Sequence, residues 1–248
     1  MRKILLIILT LILFKINLYP QTFGFGCLGL SGFYAGITQQ EYESKGITEY
    51  LFPESINNPD LHTDFNFKKA TGYRVGANIF RAKFSKVFIT AKGYYQFLKE
   101  SHNRQIYTDI NGERNYKYEL SMNHWGVGLD LGFPIFSLLD FKLLEGHVTF
   151  MNPEFSTEEL DVNNNILNEN KLTTDKVRIG YFVGSGIIVH LIPDYVSIEA
   201  TAGYSFYLIE KFYDDNKNIV IPVQDSKNYP VNKSKFSATL QLNVGFPL

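Results

Sequence analysis

Lys233 to Leu248 reads KSKFSATLQLNVGFPL, and the alternation inside it decides the fold. From Phe236 onward one set is apolar (Phe236, Ala238, Leu240, Leu242, Val244, Phe246, Leu248), and the set between is small or polar (Ser237, Thr239, Gln241, Asn243, Gly245). A period of 2 gives a strand with one greasy and one wet face. About eleven residues is the length of a tilted strand that crosses a bilayer. The chain stops on Phe246 and Leu248, which fall on the same face.

This end resembles the closing strand of outer-membrane β-barrel proteins, which finish in an aromatic or apolar residue on the lipid side. The resemblance implies a small barrel of the OmpA/OmpX type. It further implies outer-membrane lipid as the surrounding medium and engagement of the barrel-assembly machinery by the C-terminal strand.

The rest of the chain has the matching pattern. Strand-like alternation recurs at Phe23–Thr38, Ala70–Ala82, Val87–Phe97, Tyr116–Phe133, Phe141–Met151, Lys176–Leu191 and Tyr195–Leu208, which with the last stretch makes eight strands. The seventh is nearly ideal: Val196, Ile198, Ala200, Ala202, Tyr204 and Phe206 oppose Ser197, Glu199, Thr201, Gly203 and Ser205. The fourth slips phase near Asn123, which predicts a bulge there. The fifth alternates least cleanly. Gln39–Lys69, Glu100–Asn115, Asn152–Asp175 and Glu210–Asn232 are long and polar, whereas the connections between them are short. Alternating long and short connections put all long loops at one end of an antiparallel up-and-down barrel and all tight turns at the other. The predicted fold is therefore all-β: an eight-stranded transmembrane barrel with short periplasmic turns and four long extracellular loops.

Composition agrees with that class. Sixteen Tyr and 21 Phe among 248 residues favour strands and interfacial belts, and a net charge of −1 does not point to nucleic acid. Cys27 is the single cysteine, so no intrachain disulfide forms. Arg2 and Lys3 precede an apolar run from Ile4 to Phe14, too short to span and right for an export signal. Residues 1–22 are read as a signal peptide, with cleavage between 18 and 26, and residues 23–248 as the barrel domain. Cleavage after Gly26 would leave Cys27 first, but Gly24 stands where a lipidation motif wants leucine.

Alternation alone leaves a soluble ligand-binding calyx open, because a lipocalin-like barrel has the same period with the opposite filling. Charge favours the membrane. A wet surface usually carries about 25–35% charged residues, yet the polar face of the last strand has none from Ser237 to Gly245.

The inward set then holds Arg74, Lys92, Asp130, Glu145, His147, Arg178 and Glu199. Ions in a lumen this narrow must pair, so the expectation is a structural network in which Lys92 and Arg178 meet Glu199 or Asp130. His147, Glu145 and Ser121 form the one paper assembly for a lipid-modifying enzyme, but spacing does not single them out. Asp161-Val162-Asn163-Asn164-Asn165 and Asp214-Asp215-Asn216-Lys217-Asn218 begin like calcium loops, yet Ile166 and Ile219 stand where glycine is required. No cofactor or metal is expected. The expectation is a non-catalytic monomer in the outer membrane of a Gram-negative-type bacterium, structural, adhesive or partner-binding through its outer loops.

Overall fold

The computed structural model describes residues 31–51, 67–84, 86–108, 112–161, 163–193, 195–222, 229–231 and 235–245. The signal segment, its cleavage point, Cys27 and the terminal Phe246 and Leu248 lie outside the described residues.

The chain forms β1 (Gly32–Glu41), α1 (Lys45–Leu51), β2 (Lys69–Phe84), β3 (Val87–Thr108), β4 (Gly112–Phe136) and β5 (Leu139–Leu160). It continues through β6 (Ile166–Thr173), β7 (Arg178–Ile192), β8 (Val196–Phe206), β9 (Phe212–Tyr213), β10 (Ile219–Ile221) and β11 (Phe236–Gly245). Strands β1, β2, β3, β4, β5, β7, β8 and β11 pair each with the next, all antiparallel. β11 then pairs with β1, from Gly32 opposite Gly245 to Gln40 opposite Ser237. The ring is closed, and in its wall no strand edge is left to lipid. The short connections from β2 to β3, from β4 to β5 and from β7 to β8 lie at one end of the barrel, and the remaining connections at the other.

Side-chain direction settles which face is greasy. Leu240 and Leu242 are each 48% exposed and Ile198 is 38% exposed, all on the outer wall, while Thr239, Gln241 and Asn243 are buried inside. The apolar set looks outward, which is the arrangement of a membrane barrel and the reverse of a soluble calyx. The outward band closes at its upper edge with aromatic side chains. Trp125 and Tyr95 meet edge to face at 4.8 Å between centroids, and Phe97 joins them at 4.7 Å. Phe133 and Phe141 meet at 5.5 Å near the tight-turn end. Aromatic rings of this kind belong at the headgroup level.

Above the upper ring the fold departs from the sequence reading. The polar segments expected as loops over Glu100–Asn115 and Asn152–Asp175 are mostly strand: β3 runs to Thr108, β4 starts at Gly112, β5 runs to Leu160, and β6 pairs with its upper half. Gly112 to Asn123 at roughly 3.4 Å per residue is about 40 Å of strand beyond the belt. Only in the outermost stretches, 101–105, 114–117 and 163–171, are both faces partly or fully exposed, and there a strand has no apolar set to announce it.

The expected bulge at Asn123 is also absent. Register does not shift on either side, with His124 opposite Gln96, Ser121 opposite Lys99, and Asn123 opposite Asn152, although pairing with β3 lapses at Phe97 and Leu98, where the Leu98 N–H donates to Asn123 Oδ1 at 3.3 Å. Tyr118, Leu120, Met122 and His124 are all buried and lie on one continuous inward face. What changes at that level is the solvent outside. Below it lipid lies outside and the lumen is polar; above it water lies outside and the interior is apolar. A cap of Tyr42, Ile47, Phe67, Leu98, Leu120, Met122, Met151, Phe155, Leu172, Phe212 and Ile221 fills the upper mouth, with α1 over it. Each such fully buried aliphatic or aromatic residue contributes about 1.5–3 kcal/mol relative to exposure in water.

Candidate functional site

The lumen is the candidate site, and β4 leaves room for it. Gly126 and Gly128 point inward, where a Cβ would overlap the ring of Tyr94 or of His147. Glycine therefore lets two large rings from the neighbouring strands fill the bore.

Six of the seven residues picked from sequence meet there. Lys92 Nζ lies 2.6 Å from Asp130, 3.2 Å from Glu199 and 3.9 Å from Glu145. Arg74 donates from Nε to Gln96 Oε1 at 2.6 Å, approaches Glu145 at 3.9 Å, and stacks its guanidinium 4.2 Å from the centre of the Tyr94 ring. His147 Nε2 lies 2.8 Å from the Glu145 carboxylate, and its Nδ1 lies 3.2 Å from the Tyr94 hydroxyl. Asn243 donates to Glu199 at 3.3 Å and receives Gln241 at 2.8 Å.

Lys142 completes the network and escaped the sequence reading. Its ammonium binds Glu145 and Glu199, and lies 3.2 Å from both Asp130 and the Thr201 hydroxyl. The register of β5 against β7 shifts between Lys142 and Glu145. Leu143 and Leu144 both face lipid, so Lys142 and Glu145, three apart, both face in. Two successive leucines between two charges were the available signal for this bulge.

Arg178 does not join. It lies at the outer rim, 2.7 Å from Asp175 and 3.7 Å from Glu210, a full level above the carboxylates it was expected to meet. The central network thus balances Arg74, Lys92 and Lys142 against Asp130, Glu145 and Glu199, three charges of each sign.

That balance bears on metal and catalysis. Ligand atoms of Asp130, Glu145 and His147 lie within 4.8 Å of one another, a spacing a cation could use. Two ammonium groups already stand against the same carboxylates, so the positive charge a metal would bring is supplied by the chain. The paper triad is split by the barrel wall. His147 and Glu145 point inward, while Ser121 occupies the outward series of β4 between the buried Leu120 and Met122.

The described residues form further clusters outside the central network, of which three tie the barrel's ends and turns. At the tight-turn mouth, Asp140 receives Arg81 and His190, each at 3.0 Å. At the upper end, the Glu100 carboxylate gathers the Tyr42 hydroxyl at 2.5 Å, the backbone N–H of Lys69 at 2.6 Å, that of Lys68 at 3.1 Å, and His102 at 2.9 Å. It clasps both ends of the first outer connection to β3. Hydrogen bonds to a charged acceptor are worth about 1.5–3 kcal/mol each. Glu100→Ala should therefore speed proteolytic cutting of the 42–68 connection by a factor on the order of 30, with the barrel's own unfolding midpoint little changed; limited proteolysis of the folded protein checks both.

The third cluster is a pair of twin turns. In 161–165 and 214–218 the leading aspartate caps its own turn: Asn165 donates backbone and side chain to Asp161 at 2.8 and 2.9 Å, and Asn218 does the same to Asp214 at 2.7 and 3.0 Å. Asn164 and Lys217 carry φ of 63° and 64° to close the loops. The carboxylate oxygens accept N–H groups of their own turns, so the Asp and Asn spelling is that of ordinary turn formers. Those donors, the Asn165 and Asn218 side chains first, hold both exposed carboxyls below the usual range. A lowered folded value means the turns are fully supported above the ordinary aspartate value of about 3.9 and lose that support as pH falls through the lowered one. Protection factors of the Asn165 and Asn218 amides, that is, exchange corrected for the intrinsic pH dependence, should fall only in that acid window, with added calcium having no effect at neutral pH.

No protein-family model matches the chain, and no curated protein matches it. Solved structures do resemble it. Ail, the attachment invasion locus protein of Yersinia pestis, shares 11% identity over 88% of this chain and 98% of its own, with a TM-score of 0.39. Neisserial surface protein A shares 10% over 87% and 97%, with a TM-score of 0.45. A major outer membrane protein from Thermus thermophilus shares 11% over 87% and 99%, with a TM-score of 0.42. By its own closed ring of eight antiparallel strands, apolar outside and ion-paired within, the chain has the architecture of the small OmpA/OmpX-type outer-membrane β-barrels.

Proposed function

We propose that the chain is an outer-membrane barrel that acts as a non-catalytic scaffold, holding a rigid β-platform outside the cell for a binding partner. The observation that carries this reading is where the polar chain length goes. β3, β4, β5 and β6 continue past the aromatic ring as paired strands, and the turn from β5 to β6 is exposed at 163–165, while the lumen below is closed by ion pairs and then by the apolar cap. A conduit needs an open bore, and this interior is filled by side chains, as an eight-stranded barrel allows.

The test compares cells displaying the full chain with cells displaying a form lacking 104–115 and 158–169, each joined by a tight turn. Both forms should shift on gels when heated and should carry no stepwise current in planar bilayers. Adherence to immobilised extracellular-matrix protein, or of the cells to one another, should be lost with the trimmed form. Equal adherence by both forms, or current steps from either, would overturn the reading.

A further inference from the structure

Between the ion-paired layer and the apolar cap lies a small cavity of about 10 Å³, lined by Gln40, Arg74, Gln96, His124, Ser205 and Ser237 among others. Here the polar lumen ends against hydrocarbon, and its hydrogen-bond accounts do not close with protein groups alone.

Gln96 is fully buried. Its orientation is fixed, because Arg74 donates from Nε at 2.6 Å and a guanidinium cannot accept, so the amide oxygen must face Arg74. The amide nitrogen is thereby turned away from Arg74, and it has no hydrogen-bond partner among the described residues. Gln40, 3% exposed, lines the same cavity; its side chain interacts with the Tyr207 hydroxyl, and its amide nitrogen has no well-formed hydrogen-bond partner among the described residues. Leaving a buried donor unsatisfied costs about 1–3 kcal/mol. His124 supplies the opposite need. Its Nδ1 lies 3.0 Å from the Met122 carbonyl, which can only accept, so Nδ1 carries the proton and Nε2 is an acceptor. A space of about 10–15 Å³ holds one water when two to four polar groups surround it.

We infer that this cavity is a binding site for one structural water, which accepts from the amide nitrogens of Gln96 and Gln40 and donates to groups of the lining set, His124 Nε2 or the hydroxyls of Ser205 and Ser237. The site closes the polar lumen beneath the cap and fixes the side of Gln96 that Arg74 does not. It takes water and excludes apolar occupants, because each wall amide that lacks a partner is a donor. Its role is positional: it holds Gln96, and through Gln96 it holds Arg74 over Tyr94.

The test needs only the unaltered protein folded in micelles or nanodiscs. Water-selective NMR should show transfer from a long-lived water to the side-chain amide protons of Gln96, and a crystal structure should place one peak within about 3.2 Å of Gln96 Nε2. Absence of both, or a protein acceptor found against that nitrogen, overturns the inference. In a second arm, magnetic relaxation dispersion counts long-lived waters in the unaltered protein and in Gln96→Met. The count should fall by one, and an unchanged count speaks against the site even if the variant folds normally.

Discussion

Lys142→Met is expected to lower the stability of the folded barrel by about 3–5 kcal/mol, the loss typical of breaking one side of a buried ion pair. The side chain is fully buried and touches all three central carboxylates. Its removal leaves Asp130, Glu145 and Glu199 facing only Lys92 and Arg74, one negative charge in excess inside a wall backed by lipid. Pairing that change with Glu145→Gln restores equal counts and should recover most of the loss, although His147 then faces an amide. Lys171→Met gives the control, since Lys171 and its partner Glu169 are both exposed at 2.8 Å, where an ion pair is worth at most about 1 kcal/mol. Urea midpoints of protein in vesicles, read from the heat-dependent gel shift, measure all three. A loss under about 1 kcal/mol for Lys142→Met would mean that water reaches the network and screens it.

Leu240→Arg should cost about 2–4 kcal/mol, the penalty for arginine on the lipid face near the bilayer midplane. Leu240 stands mid-strand on β11, opposite Ile37 on one side and Ala200 on the other, with apolar side chains on every outward neighbour. The identical change at Ser121, on the same outward face but above the aromatic ring, should alter stability by no more than about 0.5 kcal/mol. The contrast between the two positions reads the height of the hydrocarbon directly. Equal costs at both would remove the assignment of the belt.

The period of 2 in β8 and β11 was enough to read those strands, their facing and the polarity of the bore, because lipid on one side and a charged lumen on the other keep the two sets of residues chemically distinct. Three features were hidden for separate physical reasons. The phase slip at Asn123 looked like an extra residue, yet it marks the level where the outer medium passes from lipid to water and the apolar face turns from outside to inside. The true bulge lies at Leu143 and Leu144 and concealed Lys142, since strict alternation from Glu145 would send Lys142 outward. Arg178 was given the right face but the wrong depth. Alternation reports in or out and carries no information about height along the barrel axis, which depends on register with β5 and β8. The outermost strand ends, 101–105, 114–117 and 163–171, were illegible for a related reason, as a ribbon exposed on both faces has no apolar set.

The measurement that bears most directly on the greasy exterior and sealed interior is collision accessibility of spin labels in the folded protein in lipid. Labels at Ile198, Leu240 and Val127 should collide strongly with oxygen dissolved in lipid and weakly with a water-soluble nickel chelate, while a label at Thr239 or Gln241 should be shielded from both. Strong collision of the Leu240 label with the chelate, or of the Gln241 label with oxygen, would contradict the account.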